Sequence, residues 1–249
     1  MAGLRLIGLM SMTPYQLVCT GDSQDLARRA AETIATAIDL ALDQRDRAQI
    51  ALSGGTTPAK AYALLSQQHL PWDRVDVLLG DERWVSAEDP SSNARMLRHT
   101  LMEPGSPGAQ ACFHPVPTVE LASPEASSEA FADLIGRLCP GDPPVFDLML
   151  LGLGDDGHTA SLFPGTDAPL VTNRWTTIGR GKGLDRITLT APVLSASRQV
   201  VFLVSGEGKR QALSRLLDPM ESPERTPAKL VQSQQPITIL CDQAAAPDQ

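Results

Sequence analysis

The chain has 249 residues, 42% of them hydrophobic and 20% charged, which excludes a wholly disordered chain and suits one globular domain. Lys and Arg total 21 against 29 Asp and Glu, a net charge of −8. That balance, with only 4% aromatic residues, argues against nucleic acid as a partner but not against a small anion held by a few local cations. Cys19, Cys112, Cys139 and Cys241 lie far apart in sequence with no Cys-x-x-Cys pair, so a disulfide scaffold or zinc module is not expected and a cytoplasmic setting is. No apolar run approaches the roughly 20 residues of a membrane span, so no membrane association is expected. Residues 1–14 read as a flexible N-terminal extension, with Met10 and Met12 as alternative starts; residues 15–242 read as a single domain and 243–249 as a disordered tail.

Tyr15 to Cys19 reads as a strand. Asp22 or Ser23 then caps a helix whose Leu26, Ala30, Ile34 and Ile38 recur every four residues. Gln49 to Leu52 is a short apolar strand, followed by a helix with Thr57 as cap and Pro58 in its first turn, ending before Pro71. Val75 to Leu79 is the next buried strand, and a helix starts near Ser91 or Ser92. Glu103 to Ser128, rich in Pro, Ser and Ala, reads as a surface connection with a short strand near Phe113. Phe131, Leu134, Ile135 and Leu138 mark a helix, and Phe146 to Leu151 is the most apolar strand. Arg186 to Thr190 and Gln199 to Val204 are further strands. Glu207 to Leu217 is a helix, Ala228 to Gln232 a last short one, and Ile237 to Cys241 a closing strand. Strands alternating with helices predict an α/β, Rossmann-like fold: a mainly parallel sheet with helices on both faces.

In such sheets ligands bind at the carboxyl ends of the strands. Three polar segments fall there: Ser53-Gly54-Gly55-Thr56-Thr57, Asp81-Glu82-Arg83 and Gly154-Asp155-Asp156-Gly157-His158. The first lets backbone approach an anion at a helix start, or is only a tight turn with a Thr cap. The second is a solvated charged loop, or sets Arg83 on a phosphate and Asp81 to position a hydroxyl or a catalytic group. Gly152-Leu153-Gly154-Asp155-Asp156-Gly157 matches G-x-G-x-x-G, but a dinucleotide is rejected. Two carboxylates would sit beside the pyrophosphate, Pro164 cuts short the following helix, and no acidic strand end follows about 20 residues on. His158 at the far side of this turn is a candidate general base, or a loop histidine that ties the turn down. No metal-ligand spacing exists, and no Gly-x-Ser-x-Gly elbow. Lys182, Arg186 and Lys209 are each ordinary surface cations when taken singly, but with Arg83 they build a phosphate pocket.

Ser53-Gly54-Gly55-Thr56-Thr57-Pro58, Asp81-Glu82-Arg83, Ser92-Asn93, the run Gly152 to Pro164, Arg186-Ile187-Thr188-Leu189-Thr190 and Gly208-Lys209 together resemble the 6-phosphogluconolactonase family, over about Tyr15 to Asp242. One departure is Gly179 to Asp185, where family members have a proline-rich stretch; it leaves the role of Lys182 open. The related glucosamine-6-phosphate deaminases carry a different segment after the histidine and an aromatic or apolar residue in place of Arg83. The resemblance implies hydrolysis of 6-phospho-D-glucono-1,5-lactone in the oxidative pentose phosphate pathway, in the cytoplasm, with no metal or other cofactor. His158 is then the base, with either Asp156 or Asp81 as its orienting partner. Ser53, Gly54, Gly55, Thr56, Asp81, Arg83, Arg186 and Lys209 are then the substrate-binding residues. The oligomeric state is left open between monomer and homodimer.

Overall fold

The computed structural model describes residues 15–247. The expected N-terminal extension, 1–14, lies outside the described residues. In chain order the elements are β1 (Tyr15–Thr20), α1 (Ser23–Leu42), β2 (Ala48–Leu52), α2 (Thr56–Leu65), β3 (Val75–Leu79), β4 (Asp81–Arg83), α3 (Asn93–Thr100), β5 (Cys112–Phe113), α4 (Pro124–Leu138), β6 (Leu148–Gly152), β7 (Thr176–Gly181), β8 (Leu184–Leu189), α5 (Ala191–Ala196), β9 (Gln199–Val204), α6 (Arg210–Leu217) and β10 (Ile237–Asp242), with short 3-10 turns between some of them.

Seven strands form one parallel sheet in the order β1-β10-β9-β6-β2-β3-β5. Every residue of β2 and β3 is buried, so both strands are apolar on both faces apart from Gln49 and Asp76, which bond each other, with Asp76 also paired to Arg47. Helices flank the sheet, as the alternation of elements predicts. The four-residue stripe of α1 is its buried face, extended by Ala27, Ala31, Ala37 and Ala41. Asp22 caps that helix, accepting from the N–H groups of Gln24 and Asp25 at 2.8 and 2.9 Å. No helix among the described residues is long and apolar enough to cross a membrane.

Several expectations need correction. Arg186 and its neighbours are not in the parallel sheet. Their strand β8 lies in a second, antiparallel sheet of order β4-β8-β7. Asp81-Glu82-Arg83 is therefore the strand β4, not a loop. The surface connection ends before Ser128, because Ser123 caps α4 and Pro124 occupies its first turn. The helix expected from Glu207 begins as a 3-10 turn at Glu207–Lys209, and the one near Ala228 is a single such turn, Pro227–Leu230. After β10 the chain folds back through residues 243–246. Ala245 is fully buried and its N–H donates to the Asp242 carboxylate at 2.9 Å.

Candidate active site

The parallel strand β2 delivers Ser53 at its carboxyl end. The Tyr62 hydroxyl, itself fully buried in α2, accepts from the Ser53 N–H at 3.1 Å and donates to the Ser53 carbonyl at 2.9 Å. The Ser53 backbone is thereby satisfied, while its hydroxyl is buried with no partner among the described residues. Gly54 and Gly55 follow for two separate reasons. A Cβ on Gly54 would stand 1.9 Å from Oδ1 of Asn93, and Gly55 has φ +121°, a conformation other residues rarely adopt. Gly55, not Thr57, is the N-cap of α2, and no side chain among the described residues caps that helix.

The antiparallel sheet supplies the second group. Register pairs Asp81 with Thr188 and Arg83 with Arg186. Asp81 and Arg186 are both buried; their charges approach to 3.8 Å, and the Ser161 hydroxyl donates to the same Asp81 oxygen at 2.5 Å. Burial pulls the Arg186 guanidinium below its ordinary pKa and Asp81 opposes that pull. Arg83 donates to the Ser91 carbonyl and, at 2.7 Å, to Oδ1 of Asn93. Between Asp81 and Arg83, Glu82 points inward. Its carboxylate accepts the N–H groups of Arg83 (2.8 Å), Asn93 (2.8 Å) and Ala94 (2.7 Å) and the Ser92 hydroxyl (3.1 Å), so it closes the start of α3 and fixes Asn93. Glu82→Ala leaves those donors buried without an acceptor, an expected loss on the order of 3 kcal/mol. Urea unfolding checks it: the midpoint should fall with the slope unchanged.

The third group stands on the turn after β6. Gly154 and Gly157 use their N–H groups within the turn, Gly154 to the His158 carbonyl at 2.8 Å and Gly157 to the Gly154 carbonyl at 3.0 Å. Oδ1 of Asp156 accepts from both the backbone N–H of His158 (3.0 Å) and its Nδ1 (2.5 Å). With Nδ1–H so engaged, Nε2 is the ring nitrogen left with a lone pair. Phe163 covers the ring, with centroids 4.3 Å apart. A Cβ on Gly154 would stand 2.0 Å from Nδ1, so the glycine is what lets the imidazole lie against the turn. Burial lowers the His158 pKa below its ordinary value and the Asp156 carboxylate works against that shift. Burial raises Asp156, but the His158 N–H groups and charge outweigh it and hold the carboxyl below the usual range.

The last cation, Lys209, lies at the end of the 3-10 turn after Gly206. The Asp242 carboxylate anchors that turn, accepting from the Ser205 hydroxyl at 2.5 Å and the Gly206 N–H at 3.0 Å.

Ser53, Gly54, Gly55, Thr56, Asp81, Arg83, Arg186, Lys209 and His158 line one cavity of about 260 Å³. Asp156 lies behind His158 rather than in the wall. Lys182, which the sequence places with the phosphate-pocket cations but whose role it leaves open, also lines this cavity, as do Asn93 and Ser205, which sequence reasoning did not choose as site residues. Lys182 gets there because the β7–β8 hairpin turns through Lys182 at φ +55° and Gly183 at φ +79°, the mirror-image turn that suits the strand twist.

This strand-end cavity can be compared with known proteins. Residues 21–240 match the family described as glucosamine-6-phosphate isomerases/6-phosphogluconolactonase. The chain is 41% identical over 227 residues to a 6-phosphogluconolactonase of Synechocystis sp., covering 90% of this chain and 94% of that one. It is 39% identical over 226 residues to that of Nostoc sp., with the same coverage. The chain belongs to this family. Among solved structures, the 6-phosphogluconolactonase of Shewanella baltica aligns at a TM-score of 0.81 and 29% identity, covering 94% of this chain and all of the other. A monomeric glucosamine-6-phosphate deaminase shares the fold at a TM-score of 0.77 but only 21% identity. Both branches of the family thus use one backbone, and the side chains around His158 must decide between them.

Proposed function

We propose that this cavity hydrolyses 6-phospho-D-glucono-1,5-lactone to 6-phosphogluconate, with His158 as general base. The observation that carries the reading is the His158 ring: Nδ1 is held by Asp156, and Nε2, with no hydrogen-bond partner among the described residues, stands at the wall of a cavity that also presents Arg83, Lys182, Arg186 and Lys209. A lactone carbonyl is electrophilic enough for direct attack by water. Nε2 takes a proton from that water as it adds to C1, then returns it to the departing ring oxygen. Asp156 keeps the proton on Nδ1 and stabilises the imidazolium that forms between the two transfers. The oxyanion is met by the Gly54–Thr57 turn at the start of α2, since the Gly154 and Gly157 N–H groups are spent inside their own turn. Arg83, Arg186, Lys209 and the Ser53 hydroxyl hold the phosphate and set the lactone over His158. The chain would then act in the oxidative pentose phosphate pathway, in the cytoplasm.

A base must be neutral to act, and burial favours neutral His158. The acid limb of kcat/KM is therefore expected at a midpoint below 6.5, with activity falling as pH drops through it. The substrate phosphate titrates near pH 6 as well, so differences between variants are the cleaner readout. Lys182 lowers the His158 pKa and Asp156 raises it. Lys182→Ala should move the acid limb to higher pH and Asp156→Asn to lower pH. Limbs that coincide in all three proteins would remove His158 from the role of base.

A further inference from the structure

We propose that Cys19 and Cys241 are an oxidisable pair that closes a disulfide between the first and last strands of the sheet, with hydrogen peroxide as oxidant. The two residues are 222 positions apart in sequence yet directly opposite each other in the parallel β1–β10 pairing, with their sulfurs 3.2 Å apart as free thiols. Neighbouring strands lie about 4.8 Å apart, inside the range of about 4.4–6.8 Å that a disulfide spans between Cα atoms. Bond formation therefore needs the sulfurs to close by roughly an ångström, to about 2.05 Å. The edge position of β1, which among the described residues pairs with β10 alone, lets that strand supply the movement.

The two thiols have different surroundings, which assigns their roles. Cys19 is exposed and opens on a surface hollow that it shares with Arg210, Gln243 and Ala246. Cys241 is fully buried, and burial together with the neighbouring Cys19 sulfur pushes its thiol up to about 12. Cys19 is thus the thiol that a small oxidant reaches. Its thiolate attacks one peroxide oxygen: an S–O bond forms, the O–O bond breaks, and hydroxide leaves to take up a proton as water. The sulfur of Cys241 then attacks that of Cys19. The S–S bond forms, the S–O bond breaks, and the departing hydroxide carries off the Cys241 proton as a second water. Two thiols are oxidised by two electrons in all, and one peroxide is reduced. The product ties together the two ends of the domain, the longest loop this chain offers for closure, and should raise its thermal stability.

The test uses the full chain, treated with hydrogen peroxide and then alkylated under denaturing conditions. Expected are a mass loss of about 2 Da before alkylation, a Cys19–Cys241 cross-linked peptide, and a Tm rise on the order of 5–10 °C, all reversed by dithiothreitol. Cys19→Ser should abolish all three, and Cys112→Ser should leave them intact. Cys112 lies on β5 at the opposite edge of the sheet. The proposal is overturned if Cys19 instead accumulates as a sulfenic or sulfinic acid, or bridges two molecules, while Cys241 remains available for alkylation.

Discussion

Replacing His158 with asparagine is expected to lower kcat by about 10²-fold or more, the usual scale for removing a general base. Asparagine keeps a side-chain N–H that can donate to Asp156, so the turn from Gly154 to His158 retains its hydrogen bonds while the Nε2 lone pair is lost. Three features concentrate the effect on this residue. The ring is fixed by one carboxylate oxygen that binds both its Nδ1 and its backbone N–H. Phe163 covers its face. It is also the one histidine in the cavity wall. KM should change little, because the ring makes no contact with the phosphate in this account. A folded variant with near-normal turnover would show that His158 only ties down the loop.

Lys209→Ala is expected to weaken substrate binding more than it slows chemistry. Loss of a charge-assisted hydrogen bond costs roughly 1.5–3 kcal/mol, about 10- to 150-fold in affinity. The effect should appear in KM, with weaker inhibition by 6-phosphogluconate in parallel. The Asp242 carboxylate holds Ser205 and Gly206, so the turn that carries position 209 should survive the substitution. Gluconolactone without the phosphate gives the internal control: a poor substrate for the parent protein and nearly indifferent to the change. Equal slowing of both lactones would take Lys209 out of phosphate binding and give it a structural role.

The parallel sheet was legible because each of its long strands is a local apolar run and each is followed by its own helix or turn. The strand-end segments were legible for the same reason: Ser53 to Thr56 and Gly152 to His158 are continuous in sequence. What escaped depends on partners far along the chain. Asp81-Glu82-Arg83 is a strand only because Arg186, Ile187 and Thr188 come back to pair with it, and three charged residues carry no apolar signature of their own. Strand β7 was missed because Gly179 and Gly181 interrupt its pattern. Those glycines answer to packing: a Cβ on Gly179 would stand 2.4 Å from the Ser161 carbonyl, and one on Gly181 would stand 2.5 Å from the Phe163 ring. With β7 unread, the hairpin that brings Lys182 to the cavity was unread too. Glu82 looked like one more surface charge, and only the start of α3 closing on it reveals three hydrogen bonds beside the one from its neighbour Arg83. The four cysteines seemed unrelated because sequence distance hides the β1–β10 pairing that sets two of them side by side.

The most direct test is turnover of freshly prepared 6-phospho-D-glucono-1,5-lactone, followed as acid release and corrected for spontaneous ring opening, alongside glucosamine 6-phosphate assayed for ammonia. The account predicts acid release well above the spontaneous rate, lost in the His158→Asn variant, and no ammonia. Ammonia release from glucosamine 6-phosphate, with lactone opening no faster than in buffer, would contradict it.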